Sequence, residues 1–361
     1  MDLNDRIKAI EEEIKNTSYN KATQHHIGKL KAKIAQLREE AEKRIASKGG
    51  GIGFAVKRTG HATVALVGFP SVGKSTLLNK LTNANSEVAS YDFTTLDVIP
   101  GMMEYKGVKI QILDLPGIIR GASGGKGRGR EVLSIVRNAD LVLMMTDARK
   151  PLDYEALKKE LYGVGIRVDE HPPNVSIKKR MTGGITLTST VPLKKINLET
   201  VRAILNQYGI HNGDVVLHED IGEDRFIDAI AGNRIYIPSV LILNKADLVK
   251  DKVDFKTAME YVTISAEKDT DFEELKERMF RKLNMIRIYL KPQGEEADLN
   301  EPLIMRKNST VGDLCDNLHK DFRGKFKYAI IWGVSVKYQS QRKGLSHVLK
   351  DKDIVTIIKD K

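Results

Sequence analysis

The sequence has little cysteine and no long apolar run, and each shortage excludes a class of protein. Its one cysteine, Cys315, excludes an intrachain disulfide framework and a zinc site built from several cysteines. No apolar run approaches the roughly 20 residues that a membrane-spanning helix needs, and the N-terminal MDLNDRIKAIEEEI is too charged for a secretory signal. We therefore expect a soluble cytoplasmic protein without a membrane partner, in which Cys315 is a small buried residue.

The composition fits a basic protein with several compact units. A chain of 361 residues is too long for one ordinary core and fits two to four units. It has 59 Lys and Arg residues against 48 Asp and Glu residues, and the resulting net charge of +11 favours a polyanionic partner such as RNA.

Two N-terminal runs have apolar residues every three or four positions, as one face of a helix requires. The first run is Leu3, Ile7, Ile10 and Ile14, and the second is Ile27, Leu30, Ile34, Leu37, Ala41 and Ile45. The polar stretch NTSYNK between them predicts an antiparallel helical hairpin over residues 1–50. The cations along the second helix are Lys21, Lys29, Lys31, Lys33 and Arg38. They indicate either a solvated face or a surface for RNA or another partner.

Short apolar runs alternate with helical segments through the middle of the chain. The runs are ATVALVGF, KIQILD, DLVLMMTDA, SVLILNKAD and YVTIS. This alternation predicts an α/β domain over 61–163 and 237–285, with a mostly parallel sheet and helices on both faces. Residues 164–236 interrupt the alternation and predict a small α+β insertion. Residues 286–361 predict a compact β-grasp-like module, with a strand over KYAIIWGVSV and another over DIVTIIK.

The stretch GFPSVGKST follows a predicted strand and opens a helix, which is the context of a phosphate-binding loop. Its glycines let backbone N–H groups converge on phosphates, and Lys74 reaches the β- and γ-phosphates. Ser75 is a predicted Mg²⁺ ligand. The predicted contacts with the nucleotide in this stretch are Gly68, Phe69, Pro70, Ser71, Val72, Gly73, Lys74, Ser75 and Thr76.

Two further stretches fit segments that sense the γ-phosphate. Asp114 in DLPG ends a predicted strand, where its carboxylate can hold the Mg²⁺ shell, and Gly117 can offer its N–H to the γ-phosphate. In YDFTTL, Thr95 is the predicted Mg²⁺ ligand in preference to Thr94, and Phe93 lies beside them. We expect Lys74, Thr95 and Gly117 to take part in catalysis.

The stretch NKAD at 244–247 predicts guanine recognition. Asp247 can accept hydrogen bonds from N1–H and the exocyclic amine of guanine, whereas adenine would leave that carboxylate poorly paired. Asn244 would tie this loop to the phosphate-binding loop, and the stem of Lys245 would pack on the base. In the later SAE, Ser265 and Ala266 are expected at the base, with the Ala266 N–H meeting guanine O6.

The order of these motifs resembles the developmentally regulated GTP-binding proteins, a branch of the Obg-like GTPases. The stretches that carry the resemblance are GFPSVGKSTLLNKLT, YDFTTL, DLPGIIRGASGGKGRGRE and NKAD. The C-terminal YAIIWGVSVK resembles the TGS domain of that family. The resemblance implies GTP binding and hydrolysis to GDP with Mg²⁺, association with translating ribosomes, and a dedicated stabilising partner protein.

The position after DLPG departs from GTPases that place a water-orienting Gln there, because Ile118 is apolar. The water would then be oriented by a switch-loop backbone group, by a monovalent cation such as K⁺, or by a partner. Ser71 occupies the position where some related GTPases bind potassium through an Asn. In the following glycine-rich stretch, Lys126, Arg128 and Arg130 indicate either a solvated loop or phosphate contacts.

We therefore expect a GTP-driven switch with slow intrinsic turnover that acts in translation on ribosomes or ribosomal RNA. Two alternatives remain at this point. One is an RNA-processing or tRNA-related enzyme, against which stands the lack of a Cys/His metal cluster or a paired nucleophile and base. The other is a scaffold that holds GTP without hydrolysing it. Neither the oligomeric state nor the ribosomal contact follows from these residues.

Overall fold

A computed structural model describes residues 3–48, 58–82, 99–115, 134–249 and 257–360. The helices with defined bounds are α1 (Leu3–Asn16), α2 (Gln24–Lys48), α3 (Lys74–Leu81), α4 (Asp153–Gly163), α5 (Leu198–Gln207), α6 (Glu223–Ala231), α7 (Phe272–Leu283), α8 (Val311–Leu318) and α9 (Lys320–Gly324). The strands of the first half are β1 (Ala62–Gly68), β2 (Ile99–Tyr105), β3 (Val108–Asp114), β4 (Leu141–Asp147), β5 (Ile166–Val168), β6 (Val175–Lys179), β7 (Ile185–Ser189) and β8 (Gly213–Leu217). Those of the second half are β9 (Ile235–Ile237), β10 (Ser239–Asn244), β11 (Tyr261–Thr263), β12 (Met285–Leu290), β13 (Leu303–Arg306), β14 (Phe326–Trp332), β15 (Gln341–Lys343) and β16 (Asp353–Lys359).

The described residues fall into two compact units. The first unit takes those within 1–55, 119–137 and 155–237, and the second takes those within 56–118, 138–154 and 238–361. Among the described residues, no helix is both long enough and apolar enough to cross a membrane.

In the first unit, α1 and α2 form the helical hairpin that their apolar spacing predicts. Ile10 packs with Leu30, Ile34 and Leu37 of α2 in a buried cluster. Burying aliphatic side chains between the helices stabilises both, since short isolated helices are marginal in water.

The other side of α2 packs on α5 and α6 of the same unit. Gly28 permits this approach, because a Cβ there would lie 2.9 Å from Thr200 Cγ2. Two of the predicted surface cations are also engaged within the unit: Lys31 pairs with Asp224 at 2.8 Å and Arg38 pairs with Glu11 at 2.9 Å. The hairpin therefore packs on the segment 164–236, which interrupts the α/β pattern.

That segment has its own core. The central strand β8 pairs antiparallel with β6 and parallel with β7, and β5 pairs in parallel with β9. The amphipathic α5 presents Val201 and Ile204 to Val215 of β8 and Phe226 of α6, all of which are buried. This is the α+β arrangement that the sequence predicts for this stretch.

In the second unit, six strands form a sheet in the order β11-β10-β4-β1-β3-β2. Every neighbouring pair is parallel except β2 and β3, which are antiparallel. Strands β1 and β10 are buried along their whole length, as expected for central strands covered on both faces. The carboxyl ends of β1, β3, β4, β10 and β11 share one edge of the sheet, and the predicted nucleotide motifs follow these ends.

A second sheet of this unit has the order β13-β12-β16-β14-β15. One of its faces packs on α8 through Ile288, Ala329 and Ile331, and Cys315 of α8 is fully buried there, as predicted. The helix begins with a capping box, in which Thr310 and Asp313 satisfy each other's backbone N–H groups. Mixed strands with a helix on one face give the compact β-grasp-like module that the sequence predicts.

Candidate functional site

The candidate site starts with the turn between β1 and α3. Glycine is required at both ends of this turn. A Cβ on Gly68 would lie 2.5 Å from the carbonyl oxygen of Met145, and a Cβ on Gly73 would lie 2.5 Å from Asn244 Nδ2. Gly73 also has φ of 98° and Ser71 has φ of 63°. These left-handed conformations curl the backbone tightly, as a phosphate-binding loop requires.

Lys74 begins α3 and is 8% exposed. Its ammonium group donates to the carbonyl oxygens of Gly68 and Phe69, each at 3.3 Å. These bonds are long for an ammonium donor, and burial lowers the pKa of Lys74. The cation is thus held over the loop by weak acceptors that phosphate oxygens could replace.

Ser75 and Asp114 meet beside Lys74. The Ser75 hydroxyl donates to Asp114 Oδ2 at 2.8 Å. Asp114 Oδ1 is buried and has no hydrogen-bond partner among the described residues. Burial raises the pKa of Asp114, and the bond from Ser75 together with the charge of Lys74 opposes that rise. An orphaned carboxylate oxygen next to a serine hydroxyl fits the oxygen-ligand chemistry of Mg²⁺, so these residues could hold the ion.

Asn244 joins three loops. Its side chain is buried, donates to the carbonyl oxygen of Val72 at 2.8 Å, and accepts from the Ala266 N–H at 2.9 Å. The loop after β10 is thereby tied to the phosphate-binding loop and to the loop after β11. The Ala266 N–H has an internal acceptor here, so meeting guanine O6 would require it to share or exchange that bond.

The two residues that would contact the base are also held in place. Lys245 has φ of 66°, and its ammonium group donates to the carbonyl oxygen of Ser71 at 2.7 Å. Asp247 is half-buried and accepts from the Ser265 hydroxyl at 2.6 Å. This bond is the main cause that holds the pKa of Asp247 below its ordinary value. The carboxylate is therefore ionised at neutral pH, as an acceptor for guanine must be.

The sequence analysis missed Asp147, which ends β4 at the same edge. Its carboxylate accepts from Arg149 Nε at 2.9 Å and lies 3.3 Å from the Lys245 ammonium. The bonds from Arg149 hold the pKa of Asp147 well below its usual range. The sequence did contain a signal for Asp147, because this aspartate lies near the end of the apolar run DLVLMMTDA. The residues around it, however, give no sign of its contact with Lys245.

The structure brings together the predicted residues of the stretches 68–76, 244–247 and 265–266 with Asp114. Of the loop residues, Phe69 and Val72 are buried, whereas Pro70, Ser71 and Thr76 are exposed. The remaining predicted residues lie outside the described part of the chain. They are Phe93, Thr94, Thr95, Gly117 and Ile118, with Lys126, Arg128 and Arg130 of the glycine-rich stretch.

Comparison with protein-family models gives three matches along the chain. Residues 63–179 match a family described as "50S ribosome-binding GTPase". Residues 182–285 match the "C-terminal region of MMR_HSR1 domain", and residues 286–359 match the TGS domain.

Full-length relatives agree with these matches. A protein of Methanocaldococcus jannaschii named as an uncharacterized GTP-binding protein is 56% identical, over 99% of this chain and 93% of its own length. Guanylate binding protein 128up of Drosophila melanogaster is 47% identical, over 98% of each chain. Developmentally-regulated GTP-binding protein 1 of Xenopus laevis is 45% identical, again over 98% of each chain.

Proposed function

Because this GTP-binding chain belongs to the developmentally regulated GTP-binding proteins, a family of Obg-type GTPases with a TGS domain, we propose that it is a Mg²⁺-dependent, GTP-hydrolysing switch that acts in translation on ribosomes. The observation that carries the proposal is the convergence of separate chain segments at one sheet edge. Residues 68–75, Asp114, residues 244–247 and residues 265–266 meet there through named hydrogen bonds.

In this proposal the chain binds the nucleotide from both ends. The ammonium group of Lys74 and the N–H groups at the start of α3 bind the β- and γ-phosphates. Asp247 accepts from the N1–H and amine of guanine, the Lys245 stem packs on the base, and Ala266 offers its N–H to O6. Ser75, Thr95 and Asp114 would hold the Mg²⁺, which would neutralise charge that develops on the phosphates.

The attacking water must be oriented by a group other than residue 118, since Ile118 has no polar atom. We propose that intrinsic turnover is therefore slow, with Lys74, Thr95 and Gly117 stabilising the transferring phosphate. The attacking water would be oriented by a potassium ion near Ser71, by a backbone group of a switch segment or by a group from a partner.

The ribosomal part of the proposal is supported by charge and by similarity. The net charge is +11, and the model that matches residues 63–179 carries a ribosome-binding description. On the hairpin, Lys31 and Arg38 have acidic partners within the chain. Lys29 remains exposed on α2, where it is available to ribosomal RNA. A cytoplasmic location and a dedicated stabilising partner protein complete the proposal.

We also propose domain limits for this switch. A helical hairpin takes 1–50, the GTPase domain takes 61–163 and 237–285, an inserted domain takes 164–236, and the TGS domain takes 286–361. The two described sheets of the second unit and the separate core within 164–236 support this division.

Single-turnover hydrolysis of GTP, with and without purified ribosomes and in potassium or sodium buffer, tests the proposal. We expect slow turnover by the protein alone and a large acceleration by ribosomes. Equal rates with and without ribosomes would overturn the ribosomal trigger. No hydrolysis under any of the four conditions would instead favour a scaffold that only holds GTP.

A further inference from the structure

The five-stranded sheet of the second unit has one face that α8 does not cover. Side chains alternate between faces along each strand. Those of Ile288, Ala329, Ile331 and Val355 point to α8. The alternate residues therefore point to the other side, which we name the open face.

The open face is apolar and aromatic in its centre and cationic at one edge. By this alternation its residues on the strands β12, β14, β15 and β16 are Arg287, Tyr289, Tyr328, Ile330, Trp332, Arg342, Ile354, Thr356 and Ile358. The strand register places Tyr328 beside Ile358, Ile330 beside Arg342, and Trp332 beside Ile354. Arg342 is exposed, Thr356 is buried and the others are half-buried, so the rings of Tyr289, Tyr328 and Trp332 are partly accessible to solvent.

The two ends of this sheet differ in what they contact. At the β13 edge, Arg306 pairs with Asp140 at 2.5 Å, and Arg287 lies over the ring of Phe280 in α7. The cations there have partners in the same unit. On the open face and in the loop after β14, cations instead lie over aromatic rings.

Three cations lie over aromatic rings in this way, and one of them, Lys291, reaches its ring from the residue after β12. Arg342 Cζ lies 4.6 Å from the centroid of Tyr328, and Lys291 Nζ lies 5.0 Å from that of Trp332. In the loop after β14, Lys337 Nζ lies 5.4 Å from the centroid of the exposed Tyr338. Positive charge and flat π-surfaces are thus interleaved.

The stretch that contains β14 and β15 has charge of one sign, although Arg323 and Lys327 pair with Asp316 and Asp360, which lie outside it, and the loop after β12 carries Glu295, Glu296 and Asp298. Residues 322–350 contain seven Lys and Arg and no Asp or Glu, the cations being Arg323, Lys325, Lys327, Lys337, Arg342, Lys343 and Lys350. Such a stretch repels cations and attracts a polyanion. An acidic peptide would account for the charge, but it has no flat groups to match Tyr328 and Trp332. Unpaired nucleic-acid bases with their phosphates match both features.

We infer that the open face binds single-stranded RNA, with bases stacked on Tyr328 and Trp332 in place of Arg342 and Lys291, which then contact the phosphates. The inference rests on the RNA association proposed above and adds which surface is used and which form of RNA it takes. Duplex RNA offers no exposed base faces and is bound more weakly.

The chain provides its own probe for this binding. Trp332 is its only tryptophan, so the tryptophan emission of the full-length protein reports on the open face alone. Titration with a single-stranded RNA of about 12 nucleotides should quench this emission in a saturable way. A duplex of the same sequence should quench it far less.

Two variants separate stacking from charge. Arg342→Gln should weaken binding and make the slope of log K against log salt shallower by about 0.7, the value for one phosphate contact on a single strand. Tyr328→Leu, which keeps apolar bulk, should weaken binding about tenfold with the slope unchanged. The matched control is Lys307→Gln, next to the opposite edge strand, which should leave both quantities unchanged. Thermal melting and the affinity for a fluorescent GTP analogue check that each variant is folded.

Several results would overturn the inference. One is binding of a labelled strand, followed by anisotropy, with no change in Trp332 emission. Others are equal quenching by duplex and single strand, or quenching by polyglutamate as strong as by RNA, which would assign the face to an acidic protein. GTP hydrolysis and ribosome co-sedimentation, measured on the same preparation, distinguish the two proposals. If both are normal while quenching is absent, only this inference fails; if turnover is absent while quenching occurs, only the proposed GTPase activity fails.

Discussion

The base end and the phosphate end of the nucleotide site differ in how fully the protein satisfies its own polar groups. At the base end, Asn244, Lys245 and Asp247 each have a hydrogen bond between 2.6 and 2.8 Å. At the phosphate end, Lys74 has only two bonds of 3.3 Å, and Asp114 Oδ1 has no partner among the described residues. The base end is therefore assembled by the chain itself. At the phosphate end, the nucleotide and the metal would supply closer partners for the charges of Lys74 and Asp114.

The largest effect is expected from the phosphate end. Lys74→Ala should weaken GTP binding by more than about a hundredfold, because removing one member of a buried charged contact costs several kcal/mol. Titration with a fluorescent GTP analogue measures this loss. Lys80→Ala is the matched control, since Lys80 lies on the same helix, is exposed and pairs with Asp269. Near-normal affinity in Lys74→Ala would refute the assignment of the phosphate end.

A smaller and more selective effect is expected at the base end. Asp247→Asn removes the charged acceptor for the guanine N1–H and amine, and should lower GTP affinity by about ten- to a hundredfold while raising that for xanthosine triphosphate. Competition between the two nucleotides measures the change. Asp269→Asn, the same substitution at an exposed site, should leave the preference unaltered. If the two nucleotides compete for Asp247→Asn as they do for the wild type, groups other than Asp247 recognise the base.

The smallest effect concerns stability without ligand. Burial raises the pKa of Asp114 in the fold, so its contribution to stability is present at low pH and is lost as the pH rises through that pKa. Asp114→Asn should therefore raise the melting temperature of the nucleotide-free protein at pH 7 while removing the stabilisation that Mg²⁺ and GTP give together. The difference in melting temperature between Asp114→Asn and the wild type should shrink as the pH falls towards the ordinary carboxyl pKa. A less stable variant at pH 7 would show that ionised Asp114 is satisfied without metal.

Most of the central sheet was predictable because its strands are apolar runs that end in polar motifs. β2 was missed since its sequence, IPGMMEY, contains Pro100 and Gly101, which disfavour a strand. It is an edge strand, where proline is tolerated. Gly101 lies so close to α3 that a Cβ would be 2.4 Å from Thr82 Cγ2.

One predicted strand was too long. The run KYAIIWGVSV was expected to be a single strand, but β14 ends at Trp332. Gly333 turns the chain with φ of 142°, and a Cβ there would lie 2.2 Å from Asp353 Oδ1. Asp353 belongs to β16, a neighbour that only the folded sheet provides, so the local pattern could not show the turn.

In the candidate site, too, local patterns predicted single residues but not the contacts between strands. The motifs identified Lys74, Ser75 and Asp247 because each has a fixed local spacing. The contact of Asp147 with Lys245 joins the ends of β4 and β10, two neighbouring strands whose pairing only the fold reveals. The hairpin shows the same difference. The spacing of its apolar residues predicted the two helices, whereas its packing on α5 depends on the contact of Gly28 with Thr200, which the spacing does not show.

Amide hydrogen exchange of the free protein and of its complex with GTP and Mg²⁺ tests the contrast between the two ends most directly. At the base end, the Ala246 and Ala266 N–H groups already donate within the chain, at 3.1 and 2.9 Å. Peptides spanning 244–248 and 264–267 should therefore be protected before the nucleotide is added, and those spanning 68–75 should gain most of the protection on binding. The account would be contradicted if the base-end peptides exchanged freely without nucleotide and gained the larger protection.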